Sequence, residues 1–178
     1  RGGNGYIEDW VNPRLIRDAQ VGLLWEGTSN INALDVTTRA IGRVGAHKAL
    51  AVDLAERLEE ATHVPGQFRG QLQAQLDRAL AFAERVAADP GQEDRARLVT
   101  NALYHVTAAV LMGWEGSRSG ADGGDARRML MSRLVLDHRL TPQDPMAEGT
   151  SRFDAAAAKW LLEDAPVPLA TATELLAS

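Results

Sequence analysis

The sequence predicts an all-α protein, an antiparallel helical bundle continued by a helical extension, and three observations carry that prediction. Alanine and leucine are abundant, while isoleucine, phenylalanine and tyrosine are scarce, with 3 Phe and 2 Tyr in 178 residues. That bias favours helix over strand. Leucines recur at four-residue spacing, at Leu50, Leu54 and Leu58 and again at Leu72, Leu76 and Leu80, which puts each set on one helical face. The breaks between periodic stretches are short and marked by Gly and Pro, so neighbouring helices lie antiparallel.

Taken in order, residues 1–11 are glycine-rich with interspersed aromatics and read as loop. Pro13 suits the first turn of a short helix, 13–19, with Asn12 as its cap. Residues 20–25 are mostly apolar and read as extended or irregular, and Gly27 breaks them. Thr28 or Ser29 then caps a long helix whose apolar stripe is Ile31, Leu34, Ile41 and Val44, with Gly42 and Gly45 marking close packing or a bend. Helices follow at 46–61, 67–88 and 92–113, separated by His63-Val64-Pro65-Gly66 and Asp89-Pro90-Gly91. Gly116 is expected to cap the third of these and open a loop running to Gly124. Helices at 125–140 and 152–162 come next, and residues 165–178 read as a loosely held tail. Residues 1–45 form one segment. Residues 46–178 form the extension, packed with that segment or with another subunit.

Composition excludes several chemistries. Without cysteine there is no disulfide, thiolate metal site or thiol nucleophile, and a cytoplasmic location is expected. The net charge of −5 gives no global pull toward nucleic acid or an anionic membrane. No apolar run approaches the roughly 20 residues of a membrane helix. His47, His63, His105 and His138 lack metal-ligand spacing, so no metal site is expected, and His105 reads as a hydrogen-bonded core residue. Arg1-Gly2-Gly3 reads like the middle of a loop, so the sequence is expected to start inside a longer protein.

The chemistry-bearing stretch is 1–32. It holds Gly2-Gly3-Asn4-Gly5-Tyr6, then Arg14-Leu15-Ile16-Arg17-Asp18-Ala19, then Trp25-Glu26-Gly27-Thr28-Ser29-Asn30-Ile31. Each piece alone has a bland reading: a turn, a solvated helical face, a capped helix start. Together they suggest more. Glycines let a backbone approach a ligand closely. A capped helix start offers N–H groups to a phosphate, and a glutamate just before it could act as a base.

In order and spacing these pieces resemble the acyl-CoA dehydrogenase family, which carries a GGxGY loop, an RLxRDA helix and a Y/W-E-G-T-S-x-I turn. The resemblance covers roughly the first quarter of the chain. It implies that Glu26 is the base that abstracts the α-proton of an acyl-CoA thioester while flavin takes the β-hydride. It places Trp25 and Gly27 at the acyl-CoA site, Thr28, Ser29 and Asn30 against FAD, and Gly2 and Gly3 on a loop that meets the FAD of a neighbouring subunit. It implies a structural role for Arg17 and Asp18, and for the parent protein an electron-transfer partner and homo-oligomerisation. The isolated chain is expected to be inactive and to bind FAD weakly or not at all. The Glu26 carboxyl could be tuned upward by desolvation or downward by the helix dipole.

Two departures stand out. Trp25 replaces the tyrosine of many members, and Arg1 stands where several have an apolar residue. The tryptophan form with a long extension is similar to the branch that includes AidB, members of which have been linked to DNA binding through their C-terminal region. The alternative reading is therefore an interaction module for oligomerisation or DNA contact. Arg95, Arg97, Arg127, Arg128, Arg133 and Arg139 could meet phosphates. Interleaved Asp94, Asp122, Asp125 and Asp137 favour a solvated, paired face instead.

Overall fold

Among the described residues of the computed structural model (2–24, 28–141, 144, 146 and 152–177), all regular structure is helical. The helices are α1 (Asn12–Leu24), α2 (Ser29–Asp35), α3 (Ala46–Glu60), α4 (Gly66–Ala88), α5 (Ala96–Ala121), α6 (Arg127–Val135), α7 (Arg152–Leu161) and α8 (Leu169–Ala177). α2 and α6 each run into a wider π-helical turn, Val36–Ile41 and Leu136–Leu140. Short 3₁₀ turns sit at Gly2–Gly5 and Pro90–Arg95.

The four-residue leucine spacing does what it predicts. Leu54 and Leu58 of α3 and Leu72 and Leu76 of α4 are buried with Val99, Val106 and Val110 of α5 and Met129 and Leu130 of α6 in one continuous core. α5 is its axis, packing against α6, α4, α3 and α2. Ile41 enters the same core from the turn after α2. Ile31 and Val44, on the stripe expected from sequence, are exposed instead, as is Leu98 of α5.

The wide turn after α2 has a local cause. Thr37 and Thr38 each donate their hydroxyl to the carbonyl four residues back, Ala33 and Leu34, both at 2.8 Å. Hydroxyls that compete for helical carbonyls in this way favour bending. Amides further on reach back five residues, Gly42 to Thr37 O and Val44 to Arg39 O, the π pattern. Gly45, at φ 70°, takes the left-handed conformation that turns the chain into α3.

Three expectations are corrected. The first helix does not stop at Ala19 but continues to Leu24. A single Gly22 costs only about 1 kcal/mol in a helix, too little to end it. Gly116 does not cap a helix, because α5 runs on to Ala121, and Gly113, Gly116, Ser117 and Gly120 form a buried stripe. These small residues let α6 approach: a Cβ on Gly116 would lie 2.5 Å from the Met129 amide nitrogen. The last segment is no loose tail. Val167, Ala172 and Leu176 are buried, the Ala126 amide donates to the Val167 carbonyl at 3.0 Å, and the Val167 amide donates to Asp125 Oδ1 at 2.9 Å.

Candidate functional site

The segment singled out by sequence enters the fold through α2. Ala33 and Thr37 are buried against the bundle, and α2 packs along α5. Thr28 is the N-cap by backbone position, extended at φ −63° and ψ 154°, but its side chain makes no capping hydrogen bond. Its hydroxyl therefore remains for another partner. Ser29 and Asn30 are drawn together by a residue from the extension. Arg97 Nη1 of α5 donates to Ser29 Oγ at 2.6 Å and to Asn30 Oδ1 at 3.2 Å. No carboxylate among the described residues forms an ion pair with Arg97, although Glu93 and Asp94 line the same pocket as Arg97 and Asn30.

Trp25, Glu26 and Gly27, the expected base and substrate-side residues, lie outside the described residues. Gly2 and Gly3 lie on the exposed 3₁₀ turn, which packs against α1, and a Cβ built on either would meet nothing within 4 Å. Arg17 holds Glu8 through Nη1, and Asp18 faces Arg14 across one helical turn at 3.7 Å. Both are exposed ion pairs.

A family model described as the acyl-CoA dehydrogenase C-terminal domain matches residues 1–41. Acyl-CoA dehydrogenase family member 11 of Caenorhabditis elegans is 60% identical over 35 residues, 20% of this chain and 6% of that protein. AidB of Escherichia coli (strain K12) is 32% identical over 103 residues, 58% of this chain and 17% of that protein. The chain thus spans a small part of the length of either relative. No solved structure matches the chain.

Beyond residues 1–41, several arginines are neutralised. Arg127 pairs with Asp125, Arg128 with Glu115, and Arg133 with Asp137 at 2.8 Å. Asp125 sits below the usual carboxylate range. Burial pushes it up, and the Val167 and Arg127 amides and the Arg127 guanidinium outweigh that push. The contact of Arg97 with Ser29 and Asn30 had no sequence signal: the partners are 68 and 67 residues apart, with no periodicity to connect them. His105 is not a core residue. It is half-buried, and burial together with nearby Arg139 holds its imidazole below the ordinary value. None of the helices among the described residues is long and apolar enough to cross a membrane.

Proposed function

We propose that the chain is the C-terminal helical portion of an FAD-dependent acyl-CoA dehydrogenase-like oxidoreductase, in which Glu26 is the base for α-proton abstraction from an acyl-CoA thioester. The observation that carries this reading is the ordered set of motifs in residues 1–41, the stretch matched by the family model. FAD, when bound, supplies the hydride acceptor. The protein's own residues supply position. Thr28 offers a hydroxyl that the helix does not use, and Arg97 offers positive charge beside Ser29 and Asn30, a donor set suited to an anionic group such as a diphosphate. Gly2 and Gly3 offer backbone with open space above it, and Trp25 and Gly27, next to Glu26 in sequence, are assigned to the substrate by the motif.

An oligomeric parent fits the surface of α1 and its approach. Tyr6, Ile7, Trp10, Val11, Leu15 and Ile16 are all exposed, a concentration that marks an interaction surface. The alternative reading, a helical module for oligomerisation or DNA contact without dehydrogenase activity, draws on the longer match to AidB.

The experiment uses the full-length parent protein. Flavin absorbance that bleaches on addition of acyl-CoA, and fails to bleach in Glu26→Gln while flavin content is kept, is the expected result. A colourless parent, or bleaching that survives Glu26→Gln, overturns the reading.

A further inference from the structure

A second concentration of charge lies away from the family motifs, in a cleft of about 550 Å³ between α4, α5 and the turn that follows α6. Arg78, Arg85, Arg95 and Arg139 line it together with His105 and His138; no aspartate or glutamate lines it, and Asp154 meets His138 Nε2 at 3.1 Å. Several arginines elsewhere on the molecule carry carboxylate partners, as in Arg39–Asp35, Arg57–Asp53 and Arg133–Asp137. Among the described residues none of these four does. Arg85 and Arg95 are instead fixed by neutral acceptors, the Ala81 carbonyl and Gln92 Oε1, each at 3.1 Å. Both also lie over one ring: their guanidinium carbons are 5.8 and 4.9 Å from the Phe82 centroid. Cation–π attraction of about 0.5–1 kcal/mol each helps to hold two like charges side by side. Most of the five donors of each guanidinium remain uncommitted.

The cleft is not only basic. Phe82 and Leu98 contribute apolar surface, and Leu98 is 55% exposed. Four cations converging on one small cavity differ from the spaced row that follows a nucleic-acid backbone. The volume is that of a small-ligand site, roughly 300–1,000 Å³. His105 reports the same field, since Arg139 disfavours its protonation in addition to burial.

We propose that this cleft binds a small organic phosphate, its phosphate or diphosphate held by Arg78, Arg85, Arg95 and Arg139 and its planar or apolar part laid over Phe82 and Leu98. Charge-assisted hydrogen bonds to phosphate supply the affinity, and the apolar floor separates an organic ligand from a free anion.

Isothermal titration of the 178-residue chain at low salt, with ADP and inorganic pyrophosphate as probes, tests this. ADP is expected to bind at one site and more tightly than pyrophosphate. The double variant Arg85→Gln/Arg95→Gln is expected to weaken ADP at least tenfold, while Arg69→Gln, at the other end of α4, leaves it unchanged. If the double variant loses helicity by circular dichroism, Arg139→Gln serves in its place with the same expected direction. Failure of both probes to bind overturns the proposal, as does equal weakening by Arg69→Gln. Pyrophosphate binding as tightly as ADP removes the organic assignment. Binding of duplex DNA without binding of ADP assigns the surface to nucleic acid and overturns the small-ligand site.

Discussion

Replacing Gly116 by alanine would set a methyl carbon 2.5 Å from the Met129 amide nitrogen, 2.8 Å from Met129 Cγ and 3.1 Å from the Arg128 carbonyl carbon. Two effects of opposite sign compete. Alanine is better than glycine inside a helix by about 1 kcal/mol. Forcing a methyl into packed surroundings costs about 1–3 kcal/mol. Here two of the three nearest atoms are backbone, so α6 has to shift bodily, which puts the cost at the upper end. The expected net loss is about 1–2 kcal/mol, or about 2–8 °C in melting temperature for a chain of this size. Gly70→Ala is the matched control. It also lies inside a helix, α4, but nothing stands within 4 Å of its Cβ position, so a gain of about 0.5–1 kcal/mol is expected. Urea unfolding followed by far-ultraviolet circular dichroism reads both. If Gly116→Ala gained stability as Gly70→Ala does, the close approach of α5 and α6 would be refuted.

Three further outcomes are expected. Phe68→Ala, which empties a fully buried site beneath the Arg133 guanidinium, should cost about 3–5 kcal/mol in thermal unfolding. Asp125→Ala removes the acceptor of the Val167 and Arg127 amides, should cost about 1–3 kcal/mol, and should speed amide exchange first at Ala172 and Leu176. Because the folded pKa of Asp125 is lowered, its contribution is present above about pH 4 and lost as pH falls through the folded value; wild type but not the variant should show that acid-limb loss. The His105 imidazole, also lowered, should titrate by NMR below about 6.5 and move partway back in Arg139→Gln. Protonation is harder in the folded state, so stability should fall as pH drops below the unfolded value.

How much of this was legible depends on the kind of signal. The core of α3, α4 and α5 was legible because burial there follows a simple period: Leu54, Leu58, Leu72 and Leu76 are where spacing puts them. Gly116 misled because glycine ends helices and also lets helices touch, and only the position of α6 decides which. The segment 166–177 misled because its anchor, Asp125, lies 42 residues from Val167, beyond any local pattern. The family motifs were legible as ordered words, yet the residue that joins Ser29 and Asn30 to the bundle, Arg97, was read only as one arginine among several. His105 was read as core, whereas it lines the basic cleft together with exposed Leu98.

The closure made by Val167 and α8 bears on the order of assembly. Leu169 rests against Gly120, with its Cβ and Cδ1 3.3 and 3.0 Å from where a side chain would begin, and Ala126 hands its amide proton to Val167. A nascent chain extended only as far as α6 has made the seat and lacks the occupant. Until residues 166–177 emerge, the Gly120 end of α5 and the side of α6 that they cover stay open to chaperones and to other unfinished copies.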